Sequence, residues 1–108
     1  MADIMRIDIS DNKASVSFLQ NEVKFDLDLA DELDSVIRKL YNDNVFRIEL
    51  DFQNIAFVTS LVLGKLVSYH RDLSAKNGEL RIINAQQSII DVFSVTKIDR
   101  LIPVSASR

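Results

Sequence analysis

Apolar and polar residues interleave at the start of the chain: Met5, Ile7 and Ile9 alternate with Arg6, Asp8 and Ser10, and Ala14, Val16 and Phe18 with Ser15 and Ser17. A period of two puts each apolar set on one face of an extended strand, and the intervening Asp11-Asn12-Lys13 has turn chemistry, so the segment reads as a β-hairpin. A polar loop from Gln20 to Phe25 follows. The period then changes. Leu29, Leu33, Val36, Ile37 and Leu40 recur at helical spacing, which predicts a helix capped by Asp28. Asp31 and Glu32 near its start and Arg38 and Lys39 near its end suit the helix dipole.

After Asn42-Asp43-Asn44, the run Phe46 to Phe52 alternates without error, predicting a strand with one apolar and one charged face, and so a sheet covered on a single side. A second helix begins near Thr59 or Ser60, both cap-forming types, and stops where Asn77-Gly78 supplies a left-handed end. On it Leu63, Leu66, Val67, His70 and Leu73 form a core-facing stripe, whereas Lys65, Ser68, Asp72 and Lys76 line the opposite side, with Leu61 as an apolar exception on the polar line. Glu79 to Ile83 reads as a strand. Asn84 then caps a third helix through Ile89, Ile90, Val92 and Phe93, and Ile98 to Val104 is a short final strand with Pro103 at an edge-compatible position. The sum is an α/β protein: a small mixed β-sheet with helices packed mainly on one side.

A length of 108 residues fits one domain spanning 1–108, large enough to bury about two-thirds of its unfolded surface without a staple. A net charge of -3 leaves no surplus of cations to neutralise a phosphate backbone, so nucleic acid is not an expected partner. With no cysteine and His70 as the single histidine, neither thiol chemistry nor a metal cluster is expected, and no cofactor is called for. The apolar stretch Ile55 to Leu63 is interrupted by Thr59 and Ser60 and is far shorter than the roughly 20 residues of a membrane span. Met1 to Arg6 lacks the basic segment and apolar core of a secretory leader. The expectation is a cytoplasmic protein without direct membrane insertion, its oligomeric state left open.

Thr59 and Ser60 have two readings. They are caps for free backbone amides, or hydroxyls that take a phosphoryl group, which the positive end of a helix would tolerate. His70 has no Ser or Cys placed for a triad and is read as a core or boundary residue. An enzyme reading would put phosphoryl transfer on Asp51, but Asp8-Ile9-Ser10-Asp11 supplies no adjacent acidic pair to assist it, and no catalytic residue is assigned.

The element order and the stretch Phe57-Val58-Thr59-Ser60-Leu61-Val62-Leu63-Gly64 resemble the STAS domain of bacterial anti-sigma factor antagonists. Asn77-Gly78-Glu79-Leu80-Arg81-Ile82-Ile83 and the segment Val92 to Leu101 are similar to that family's later strand and its ending. In regulated members the helix start reads Asp-Ser-Ser-Gly-Leu-Gly, and the second serine is phosphorylated by a partner kinase that is also the anti-sigma factor. Matching Leu63 and Gly64 to the final pair puts Thr59 at the aspartate, Ser60 at the first serine, Leu61 at the phosphoacceptor and Val62 at the glycine. Asn21-Glu22-Val23-Lys24 resembles the family's Gly-x-Leu-Asp loop, with Lys24 where the acid stands. Two carboxylates are thereby exchanged for a cation and a hydroxyl, which makes the local field less negative. The chain also ends at Arg108, before the family's usual last helix, so a face covered elsewhere is expected to be exposed here.

The resemblance implies a non-enzymatic protein-binding module that regulates transcription by partner switching. Its partner would be an anti-sigma factor or related GHKL-type serine kinase, docked on Asn21, Glu22, Lys24, Thr59, Ser60, Leu61, Val62 and Lys65. Leu61 cannot take a phosphate, so the switch is either lost or displaced to the candidate phosphoacceptors Ser60 and Thr59. The alternative is a constitutive STAS scaffold subunit of a larger stress-signalling or transport complex, which the substitutions at Leu61, Val62 and Lys24 favour.

Overall fold

A computed structural model describes residues 4–106. The first three residues, part of the segment read for leader character, and the terminal Ser107 and Arg108 lie outside the described residues. The elements run β1 (Met5–Ser10), β2 (Lys13–Phe18), β3 (Val23–Phe25), α1 (Leu27–Asn42), β4 (Arg47–Asp51), β5 (Ile55–Val58), α2 (Ser60–Ser74), β6 (Glu79–Ala85) and α3 (Gln87–Val95). A 3-10 turn over Ile98–Arg100 and β7 (Val104–Ala106) complete the fold.

Five strands form one sheet in the order β1-β2-β4-β6-β7, antiparallel in the β1–β2 hairpin and parallel elsewhere. The hairpin turns on Asp11 and Asn12, whose φ values of 51° and 65° give the left-handed pair that matches the twist of the flanking strands. In register, Ala14, Ile48 and Leu80 line up across three strands, as do Val16, Leu50 and Ile82, and all six are buried. The intervening row, Ser15, Glu49 and Arg81, faces the other way. The three helices supply Leu33, Ile37, Leu66, Leu73, Ile89 and Phe93 to the same core, so the sheet is covered on one side, as the alternation of β4 requires.

Several expectations are corrected. The loop Gln20 to Phe25 contains β3, which pairs in parallel with β5 as a separate two-stranded sheet, matching Lys24 with Phe57 and Phe25 with Val58. Three residues are too few to show alternation, so the strand exists because β5 lies beside it. Asp26, not Asp28, caps α1: its Oδ1 accepts from the Leu29 N–H at 3.1 Å. The core face of α2 is Val62, Leu63, Leu66, Tyr69 and Leu73, with His70 at its half-buried margin. Tyr69 enters the core because Asp34 on α1 accepts a hydrogen bond from its hydroxyl.

Asn84 lies inside β6 with φ 57° rather than capping a helix, and its Nδ2 donates to Asp51 Oδ2 at 3.3 Å. Gln86 stands at the start of α3 without a side-chain cap bond. The expected final strand is mostly a 3-10 turn entered through Lys97 at φ 63°, leaving β7 after Pro103. At the end of α2, Asn77 takes the left-handed φ of 59°, and Gly78 answers a steric demand: a Cβ there would lie 2.0 Å from the Phe46 carbonyl oxygen.

Candidate functional site

A chain of buried aromatic side chains links the strands that precede α2 to α3. Phe18 and Phe25 have ring centroids 5.5 Å apart, Phe25 and Phe52 5.8 Å, and Phe52 and Phe93 6.4 Å, all in tilted or edge-on arrangements. These rings join β2, β3, the end of β4 and α3. The Thr59 N–H donates to the Phe25 carbonyl at 3.2 Å, and the Val23 N–H to the Asn54 carbonyl at 2.7 Å. The parallel pairing of β3 with β5 therefore sets Phe25 against the start of α2 and Lys24 opposite Phe57, while Asn21 and Glu22 lie toward Asn54 at the other end of β5.

Within that neighbourhood the hydroxyls separate. Thr59 stands at the N-cap with extended backbone, φ -83° and ψ 159°, and its carbonyl accepts from Val62 and Leu63 at 3.1 and 3.3 Å. Its side chain makes no cap bond, and Oγ1 is buried with no hydrogen-bond partner. The expected capping role is thus filled by backbone alone. Ser60 is exposed at the first helical position. Leu61 is 68% exposed, whereas Val62 is fully buried and has no side-chain surface to present, contrary to its expected place on a docking face.

Lys65 is similarly engaged. Its Nζ donates to Asp34 Oδ2 at 2.7 Å and lies 4.0 Å from Asp31 Oδ1, so its charge is spent on α1. Asp34 also accepts from the Tyr69 hydroxyl. Burial pushes the Asp34 carboxyl up, but the hydrogen bonds from Lys65 and Tyr69 with the charges of Lys65 and Arg38 outweigh it and hold the group below its ordinary value of 3.8. Burial, then the hydrogen bond to Asp34 and its charge, drives the Tyr69 phenol well above 10.0.

Lys24 is directed elsewhere: its ammonium lies 5.7 Å from the centroid of the Phe57 ring, a cation–π placement. Phe57 is 54% exposed and escapes the sequence reading because it sits in the apolar run Ile55 to Leu63, where nothing distinguishes an outward ring from an inward one. Its place opposite Lys24 depends on a bulge between Val23 and Lys24. Asn21 and Glu22, both exposed, line a cavity of about 410 Å³ together with Lys24, Asp26, Asp28 and Glu32. The exposed side chains around the β5–α2 junction are therefore Phe57, with Lys24 over its ring, and Ser60 and Leu61 on the helix, and an acidic hollow lies beside Lys24.

No triad is formed at this surface, and among the described residues no group of three or more His, Asp or Glu could hold a metal ion. No helix among them is long and apolar enough to cross a membrane. Asp51 is occupied at the end of β4, where Oδ1 accepts from the Gln53 N–H at 2.9 Å and Oδ2 from Asn84.

A five-stranded mixed sheet with helices on one face, a separate two-stranded sheet and an exposed helix start define a small α/β domain. The STAS domain family matches residues 14–108, and the chain belongs to that family. An anti-sigma factor antagonist from Thermotoga maritima superposes with a TM-score of 0.79 at 19% identity, covering 94% of this chain and 85% of that one. An anti-sigma-factor antagonist (STAS) domain protein from Planctomyces limnophilus gives 0.78 at 15% identity, covering 96% and 91%. The Bacillus cell fate determinant SpoIIAA in its phosphorylated form gives 0.71 at 15% identity, covering 93% and 89%. At these identities the likeness is one of fold. No curated protein sequence matches the chain at a significant level.

Proposed function

We propose that the chain is a non-enzymatic binding module that acts as an anti-sigma factor antagonist, engaging an anti-sigma factor of the GHKL serine-kinase type and so regulating transcription by partner switching. The observation that carries this reading is the exposure of Phe57, with Lys24 over its ring, and of Ser60 and Leu61 around the β5–α2 junction of a STAS fold. An apolar ring and a leucine beside a cation form the kind of compact centre on which a protein interface concentrates its affinity. Asn21 and Glu22 line the acidic hollow beside Lys24, while Val62 supports the helix start from within and Lys65 ties α2 to α1.

Any phosphoryl switch belongs to Ser60. Its side chain is exposed at the helix start, whereas a phosphate on Thr59 would have to be attached to a buried oxygen. Phosphorylation there would add about -1.5 to -2 charges beside Leu61 and expel an apolar partner surface through desolvation and repulsion. The second reading, a constitutive scaffold subunit of a stress-signalling or transport complex, draws on Leu61 occupying the position that takes phosphate in regulated relatives. Titration calorimetry of the chain against the host's anti-sigma factor kinases, before and after incubation with ATP, tests the two. Binding that is lost together with the appearance of phosphoserine 60 supports the antagonist. Binding indifferent to nucleotide supports the scaffold, and no binding to any such kinase overturns the first reading.

A further inference from the structure

Among the described residues strand β1 stands at the edge of the five-stranded sheet, and beyond the half-buried Met5 its apolar side is exposed. Ile7 is 42% and Ile9 57% exposed, although both stand opposite the buried Val16 and Ala14 of β2. The two-residue turn makes Ser10 and Lys13 a hydrogen-bonded pair, and the Leu19 N–H to Ile4 carbonyl bond at 3.0 Å keeps the same parity at the other end. Arg6, Asp8 and Ser10 therefore turn their main-chain groups to β2, and Met5, Ile7 and Ile9 turn theirs outward. An edge of this kind is a template for another strand.

We propose that β1 pairs antiparallel with β1 of a second copy of this chain, about a two-fold axis through Ile7. The sequence Met5-Arg6-Ile7-Asp8-Ile9 is self-complementary in that register alone. Symmetry sets Ile7 opposite Ile7 and Met5 opposite Ile9, which are the residues whose N–H and C=O groups point outward, so every outward group from Met5 to Ile9 gains a partner. Arg6 then faces Asp8 across the axis, twice. Moving the axis by one residue sets Arg6 against Arg6 or Asp8 against Asp8, which like charges disfavour. The uncovered isoleucines meet on the helix-bearing side, and the Arg6–Asp8 pairs lie on the open side. Within one chain Arg6 Nε already lies 3.2 Å from Asp8 Oδ2, in an exposed pair that exchanges partners readily.

The test is light scattering on the eluting peak in size-exclusion chromatography, with the full chain from micromolar to millimolar concentration, for the parent, Arg6→Asp, Asp8→Arg and the double exchange. The parent should run at twice the mass of one chain. Each single exchange sets two like charges against each other on the axis and should weaken the dimer roughly ten- to a hundredfold, while the double exchange restores it. Both side chains are more than half exposed, and urea titration confirms that each variant is folded. A monomeric parent over the whole range overturns the proposal. So does a dimer indifferent to the single exchanges, or one that the double exchange fails to restore, since either places the contact elsewhere.

Discussion

Lys65 Nζ lies 2.7 Å from Asp34 Oδ2, binding the first half of α2 to the middle of α1 beside the surface that Leu61 presents. The pair is partly exposed, with side-chain accessibilities of 31% and 27%, and Tyr69 completes it from one helical turn further along α2. It stiffens the platform under the candidate docking surface and takes no part in contact itself.

The acid limb of the stability curve should carry this carboxylate. Asp34 is held below its ordinary 3.8, so its contribution is fully present above that value and is lost as the pH falls through the lower folded value. Chemical denaturation as a function of pH should show a steeper acid decline for the parent than for Asp34→Asn. Equal slopes would mean that the group gains nothing on folding.

The alkaline limb should carry Tyr69. Its folded value is raised, so its contribution is intact below 10.0 and drains away as the pH rises beyond it. Tyr69→Phe should cost about 1.5 to 3 kcal/mol at neutral pH, the range for a hydrogen bond to a charged acceptor, and should flatten the alkaline decline. Phenolate absorbance during alkaline titration checks it: one tyrosine should resist ionisation until the chain unfolds.

Thr59→Val separates a capping hydroxyl from an orphaned one. Loss of a working cap costs about 1 kcal/mol, but Thr59 Oγ1 is buried and unpartnered, so its removal should raise the unfolding free energy by about 1 kcal/mol instead. Urea denaturation midpoints give the sign directly.

The two glycines should respond in opposite directions. Gly64 is exposed within α2 and has nothing within 4 Å of an added Cβ, so Gly64→Ala should stabilise the chain by about 0.5 to 1 kcal/mol. Gly78→Ala drives a methyl into the Phe46 carbonyl and should cost about 1 to 3 kcal/mol or more. If Gly64→Ala weakens partner binding while raising the denaturation midpoint, the glycine serves a close approach at the docking surface.

Phe57→Ala and Leu61→Ala should leave stability within about 0.5 kcal/mol of the parent, since both side chains are more than half exposed. Each should weaken the proposed kinase-type partner by about 2 kcal/mol, roughly thirtyfold, as truncation of an apolar anchor does. Calorimetric titration beside a thermal melt reads both quantities on one sample.

Periodicity by itself determined the hairpin, α1, β4, the extent of α2 and the single covered face of the sheet, because each of these buries enough residues in a row for a period of two or of about 3.6 to stand out. The resemblance at Phe57 to Gly64 likewise located the helix start that the structure presents. What only the tertiary structure decided depends on neighbours remote in sequence. β3 exists because β5 lies beside it, Tyr69 is inside because Asp34 accepts a hydrogen bond from its hydroxyl, and Lys65 is committed because α1 offers two carboxylates. The same holds for the docking surface. Val62 and Leu61 are adjacent aliphatic residues, and Thr59 and Ser60 adjacent hydroxyls, yet packing buries Val62 and the Thr59 hydroxyl oxygen and exposes Leu61 and Ser60. Local propensity treats such neighbours alike, and the register in which α2 meets the sheet separates them.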